Sequence, residues 1–352
     1  MKILVIQQKM IGDVLTSSIL FEVLRHQYIN AQLDFLINEH TYPVVENNPF
    51  IDNYLFFTEK ESISKKALLK FAKKIKSNQY DVVIDVYSKF SSNLITALSR
   101  SKIKISKYKW YTSFLYTHTF REQKKTKTVA GLAIENRLQL LQPILKKQAQ
   151  IIQPKIYLTE KEIEDSKQFL LSHKINLNLP LFMISVLGSS ANKTYPLNYM
   201  AKIIDVIVKE TQAQILFNYI PNQETEAKEI FDLCEDETKK HIYFEVFGKN
   251  LRAFLAITKH CDTLIGNEGG AVNMAKALNI STFTIFSPWI LKEAWNMFED
   301  GKMHVSIHLK DVNPDIYMNK SLKDMKKDGN QLYKLFKPEL IIPKLNIFLK
   351  NK

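Results

Sequence analysis

Two α/β domains, each a parallel sheet covered on both faces by helices, are what this sequence predicts, on three observations. From Lys2 to Ile105, short apolar runs alternate with amphipathic stretches. A polar, Gln- and Lys-rich connection then interrupts the pattern between Lys146 and Pro154. A second alternating series follows it. The length of 352 residues agrees, being long for one core. The expected division is residues 1–150, residues 151–335, and a terminal helix in 336–352 that could pack back across the boundary.

The first run, Lys2–Ile6, reads as a buried strand. It leads through Ile11-Gly12-Asp13 into a helix with apolar positions Leu15, Ile19, Val23 and Leu24. Asp13 therefore falls at the carboxyl end of the first strand, where open α/β sheets bind ligands. Asp is also a favoured N-cap, and on the residues alone the cap is the expected role, with a catalytic base as the alternative. Further strands are expected at Leu33–Ile37, Tyr54–Phe57, Val82–Val86 and Lys102–Ile105. Among the helices between them, Lys65–Ser77 places Leu68, Leu69, Phe71, Ala72 and Ile75 on one face.

Thr159, with Glu162 three residues on, forms a capping box that opens the second series. Its strands are expected at Leu181–Val186, Gln214–Tyr219, Ile242–Phe244, Thr263–Ile265 and Thr282–Phe286. Helices are expected near Leu197–Thr211, Glu224–Cys234, Leu251–Thr258 and Ala271–Leu278. The tail, Pro338 to Leu349, is amphipathic.

Composition excludes several classes. With 45% hydrophobic and 24% charged residues the balance is that of a globular chain. No apolar run approaches the ~18 residues of a membrane span. The short run Lys2–Ile6, followed by an amphipathic helix, is no secretory signal. Cys234 and Cys261 give neither a disulfide framework nor a metal-ligand spacing, so a cytoplasmic location is expected. The net charge of +13 attracts polyanions such as nucleic acid, anionic lipid surfaces or phosphorylated glycans, although lysine is abundant throughout. It is densest at Lys102, Lys104, Lys107, Lys109, Arg121, Lys124, Lys125 and Lys127, interleaved with Tyr108, Trp110, Tyr111, Phe114, Tyr116 and Phe120. That stretch is either a solvated loop with anchoring aromatics or a docking surface for an anionic, partly apolar acceptor.

Two segments carry anion-binding chemistry. In Leu187-Gly188-Ser189-Ser190-Ala191-Asn192-Lys193-Thr194, hydroxyls and one ammonium follow a buried strand and suit phosphate oxygens. In Ile265-Gly266-Asn267-Glu268-Gly269-Gly270-Ala271, a strand turns through glycines directly into a helix, whose first N–H groups suit a phosphate. Neither fits the dinucleotide fingerprint or a P-loop. Together they suggest a diphosphate held between two loops. No Asp-x-Asp pair follows an apolar strand, so no metal or other cofactor is expected.

In this order and at these separations, the segments resemble glycosyltransferase family 9, the ADP-heptose:lipopolysaccharide heptosyltransferases of GT-B fold, from Lys2 to about Pro288. Ile11-Gly12-Asp13-Val14-Leu15 is similar to the family's Gly-Asp-Val segment, which implies that Asp13 is the general base. Ser189, Ser190 and Lys193 resemble the family's donor-diphosphate loop. Asn267-Glu268-Gly269-Gly270-Ala271-Val272-Asn273 resembles its Asp-Ser/Thr-Gly-Pro-Met-His helix start, and Glu224 stands where the family has an acidic contact to the nucleoside. The chain departs from the pattern at Glu268 for Asp, Gly269 for Ser/Thr, Ala271 for Pro and Asn273 for His, changes that bear on sugar recognition.

The resemblance implies two Rossmann-like doubly wound domains facing a central cleft. The N-terminal one would bind the acceptor and the C-terminal one the nucleotide sugar. The expected reaction is inverting transfer, without a metal, of a sugar such as heptose from an ADP-linked donor. The expected acceptor is the lipopolysaccharide core or a related anionic glycolipid, with peripheral contact at the inner face of the cytoplasmic membrane. Two alternatives stand beside it: a nucleotide-sugar epimerase or hydrolase on the same scaffold, and a basic nucleic-acid-binding module. The second lacks helix-turn-helix, zinc and RNA-motif signatures, so nucleic acid is not an expected partner.

Overall fold

All strands among the described residues pair in parallel, which requires cover on both faces and explains why most read as continuous apolar runs. The computed structural model describes every residue except Asn319 and Asn351, and at Leu322 the backbone alone. It forms two compact units, Met1–Tyr157 and Leu158–Lys352.

The first unit contains β1 (Lys2–Ile6), β2 (Gln32–Asn38), β3 (Asn53–Phe57), β4 (Val82–Asp85), β5 (Ile103–Lys107) and β6 (His118–Phe120). Their spatial order is β3-β2-β1-β4-β5-β6, so the winding reverses between β1 and β4. Ile3 lies beside Leu33 on one side and Val82 on the other. The second unit contains β7 (Leu181–Ser185), β8 (Gln214–Phe217), β9 (Thr263–Asn267), β10 (Ser281–Ile285) and β11 (His304–Ile307). Their order is β11-β10-β9-β7-β8, with the reversal between β7 and β9. At each reversal two neighbouring loops diverge to opposite faces and leave a crevice at the strands' carboxyl ends.

Several expectations need correction. The single helix expected after β1 is two, Ile11–Ser17 and Ile19–Gln27. Around the break three hydroxyls turn back on the backbone: Thr16 Oγ1 to Gly12 O (2.9 Å), Ser17 Oγ to Asp13 O (2.7 Å) and Ser18 Oγ to Leu15 O (2.7 Å). Such back-bonding competes with the helical ladder. Asp13 is not the N-cap; Met10 is, and Asp13 lies three residues inside. Ile242–Phe244 forms one bridge, Ile215 with Ile242, instead of a strand, because Phe244 packs against Phe217, Tyr219 and Phe231. Leu69 leaves the buried face of Lys65–Ser77, which Leu68, Ala72 and Ile75 provide.

The tail helix Pro338–Leu349 buries Ile341, Leu345 and Phe348 in the second unit's core, with Phe348 against Phe283 at 5.5 Å. Among the described residues no helix is long and apolar enough to cross a membrane.

Candidate functional site

In the second unit the loops after β7 and β9 meet at the reversal point. Asn267, the last residue of β9 and 1% exposed, ties them together. Its Nδ2 donates to Ser185 O (3.0 Å) and Val186 O (2.9 Å), and its Oδ1 accepts from Tyr195 N–H (2.7 Å). The first loop is closed on itself: a Cβ on Gly188 would lie 2.2 Å from Lys193 O, so only glycine fits there. Gly188 N–H also donates to Thr194 Oγ1 (3.1 Å).

This frame brings Lys193 Nζ to 3.4 Å from Glu268 Oε1. On its other side Lys193 lies 5.8 Å from the centre of the Trp289 ring, and Trp289 Nε1 donates to Asn192 O (2.7 Å). Gly269, at φ +152, opens the helix Gly270–Ala277, and a Cβ built on it meets nothing within 4 Å. An ammonium, exposed hydroxyls and a helix start beside open space are groups whose chemistry suits a polyanion.

Of the expected residues, Lys193, Glu268, Gly269 and Gly270 are therefore brought together. Ser189 and Ser190 are exposed on the same loop, where the Ser190 hydroxyl donates to Asn192 Oδ1 (2.7 Å). Asn273, half-buried, lies one turn into the helix. Glu224 is exposed at the start of the helix after β8, and the residue before it makes the link to the loop: Gln223 Nε2 donates to Gly188 O (3.0 Å).

In the first unit Asp13 stands at the β1/β4 reversal. Its Oδ1 accepts from Arg137 Nη2 at 2.7 Å, while Oδ2 takes only a long bond, 3.3 Å, from Met10 N–H. Arg137 is buried and donates also to Ser17 Oγ (2.9 Å) and Ala133 O (2.7 Å). Burial lowers its guanidinium from the ordinary value, against the pull of Asp13. Tyr87, after β4, is raised by burial and by the charges of Asp13 and Asp85.

Asp85 ends β4 fully buried, and burial raises its carboxyl despite hydrogen bonds from Tyr116 OH (2.6 Å) and Ser88 N–H (2.7 Å). Lys109 donates to Ser88 O, and burial with neighbouring Lys107 and Lys89 lowers its ammonium. The basic, aromatic stretch is thus anchored inward by Lys109 and Tyr116, while Trp110 (79%) and Phe114 (80%) stand in solvent.

The sequence reading missed Arg137, Asn267 as a clamp, and the Asp85–Tyr116–Lys109 group. The available signal for Arg137 was a lone cation in the apolar stretch Leu132–Leu138.

Compared with known proteins, residues 68–323 match the family model described as glycosyltransferase family 9 (heptosyltransferase). The chain is 27% identical over 297 residues to lipopolysaccharide heptosyltransferase 1 of Campylobacter coli, covering 81% of this chain and 84% of that protein. Among solved structures, a glycosyl transferase family 9 protein of Veillonella parvula aligns at a TM-score of 0.79 and 16% identity, over 100% of this chain and 97% of the other. The ADP-heptose LPS heptosyltransferase II of E. coli aligns at 0.68 and 15%, over 96% and 99%.

Proposed function

The chain belongs to glycosyltransferase family 9, and from that membership we propose that it transfers a sugar, heptose, from an ADP-linked donor to an anionic glycolipid of the lipopolysaccharide-core type, with inversion. The family relatives named for lipopolysaccharide heptosyl transfer support the donor and acceptor classes. The observation that carries the reading is the polyanion site at the β7/β9 reversal: Lys193 on a closed loop beside the Gly269-Gly270 helix start.

In the reaction, an acceptor hydroxyl attacks the anomeric carbon as the bond to the diphosphate oxygen breaks on the opposite face. Asp13 takes the hydroxyl proton on Oδ2, the oxygen that Arg137 leaves free. Charge accumulates on the departing diphosphate, and fixed donors stabilise it there: Lys193, Ser189, Ser190 and the N–H groups at Gly269 and Gly270. Glu224 meets the nucleoside, and Asn273 and Glu268 face the sugar end. The lipid-linked acceptor brings the protein to the inner face of the cytoplasmic membrane as a peripheral partner.

Replacing Asp13 by Asn tests this. Transfer from ADP-heptose to a lipopolysaccharide-core acceptor is expected to fall by at least about 1,000-fold, while calorimetry shows ADP affinity within about twofold of the parent. Full activity in that variant overturns the base assignment. Donor turnover without acceptor would indicate a hydrolase or epimerase.

A further inference from the structure

Glu268 is buried, 8% exposed, directly beyond the strand end that forms the donor site. Its Oε1 accepts no hydrogen bond among the described residues. The cation beside it is Lys193, at 3.4 Å, the same ammonium that the donor-site reading assigns to the diphosphate. Their proximity is built into the frame, because Asn267, adjacent to Glu268, holds the Lys193 loop through Tyr195 N–H. Burial raises the Glu268 carboxyl, and Lys193 opposes that rise.

Among the described residues, the charge of Glu268 is also felt by Tyr333. Tyr333, on the helix Gly329–Leu335, is itself buried with its phenol pushed far up, so it stays neutral. Lys326 stands on the same Trp289 ring as Lys193, its Nζ 5.4 Å from the ring centre.

A single ammonium cannot neutralise both a buried carboxylate and an arriving diphosphate. A buried carboxylate that loses the cation beside it, and gains an anion nearby, is a strongly disfavoured species. Taking a proton from solvent relieves it. We propose that Glu268 is the resting counter-ion of Lys193, and that a nucleoside diphosphate displaces it: Lys193 passes from carboxylate to phosphate, and Glu268 takes up a proton. Rather than reading the sugar alone, Glu268 couples donor capture to pH. This deepens, and rests on, the donor-site reading given above.

The sign of the coupling follows from linkage. Binding that takes up a proton weakens as pH rises, across the interval between the Glu268 values in the free and bound states. At low pH Glu268 is already protonated, Lys193 is already released, and the coupling vanishes.

Calorimetry of ADP binding in buffers of different ionisation enthalpy tests this between pH 5.5 and 8.5, on the full chain and on Glu268→Gln. The nucleotide's own phosphate titration is common to both proteins and cancels in the difference. At pH 8 the parent is expected to take up more protons per ADP than the variant, by up to about one. Glu268→Gln is expected to bind ADP about tenfold more tightly at pH 8, a gap that closes toward pH 5.5.

Lys193→Met provides the second comparison. Without its cation Glu268 is protonated before ADP arrives, so the extra uptake disappears while weakened binding remains. Equal proton counts and parallel pH slopes in parent and Glu268→Gln overturn the exchange alone. Failure of the parent to bind ADP at any pH overturns the donor-site reading beneath it.

Discussion

At the scale of single residues, Asp13 is held by a partner 124 positions away in the chain, which fixes one carboxylate oxygen and leaves the other with only a long bond from Met10 N–H. Arg137 spreads three N–H groups over Asp13 Oδ1, Ser17 Oγ and Ala133 O, a geometry only a planar guanidinium supplies. Arg137→Lys should keep the charge and lose the fork. Expected is a fall in kcat of about 10- to 100-fold with the donor KM little changed. Arg137→Met also strands the Asp13 charge, and urea unfolding should show a loss of about 3–5 kcal/mol. A normal kcat in Arg137→Lys would mean that orientation of Asp13 by this fork is irrelevant to transfer. Asp13, Lys193 and Glu268 were legible in the sequence because each sits beside a strand end in a short segment with its own pattern. Arg137 left only a faint local trace, a lone cation among the apolar positions of Leu132–Leu138, because the partner that gives it meaning lies 124 positions away.

At the scale of elements, the apolar strands and the capped helices announced themselves, and the exceptions share a cause. The last strand, β11, carries His304 and Ser306 inward, both buried, so it shows no apolar run. Ser306 is satisfied by Glu299, and His304 Nδ1 lies 3.1 Å from Thr282 Oγ1. Burial holds the His304 imidazole down at about 4, against 6.5 in the open chain. The unfolded chain therefore binds a proton that the folded one refuses, and stability is lost as pH falls from 6.5 to 4. The full loss from this group is about 3 kcal/mol. Urea midpoints from pH 7 to 4 should show that slope, and His304→Gln should flatten it; an unchanged slope would place the acid sensitivity elsewhere. The Asn267 clamp acts at the same scale, between β9 and the β7 loop. Asn267→Ala strands one N–H and two carbonyls in the interior, at a cost of about 2–4 kcal/mol in urea unfolding. If the loop after β7 holds the donor as proposed, ADP binding should weaken too, whereas a change in stability without one would show that the clamp does not shape a nucleotide site.

For the molecule as a whole, the charge is divided unequally. Met1–Tyr157 carries 24 Lys and Arg against 12 Asp and Glu, whereas Leu158–Lys352 carries 25 against 24. The basic residues are nearly equal in number, so the excess of the first unit comes from its fewer acidic residues, 12 against 24. The surplus lies in the unit that holds Asp13, and its densest stretch frames the exposed Trp110 and Phe114. Charge in this range acts over a Debye length, about 8–10 Å near physiological salt, and draws a protein to anionic lipid. Exposed aromatic rings then add apolar and interfacial contact that salt does not screen. Sedimentation with phosphatidylglycerol-containing vesicles should therefore show binding at low salt, weakened by 0.5 M NaCl and absent with phosphatidylcholine alone. The double variant Trp110→Ser with Phe114→Ser should bind less at every salt concentration, with activity on a water-soluble acceptor retained. Vesicle binding that ignores those two side chains would reduce the loop to a solvated one and leave the lysines as the membrane contact. No vesicle binding at any salt would instead direct the surplus charge to the phosphates of the acceptor glycan, where it would appear as a salt-dependent acceptor KM with a salt-independent kcat.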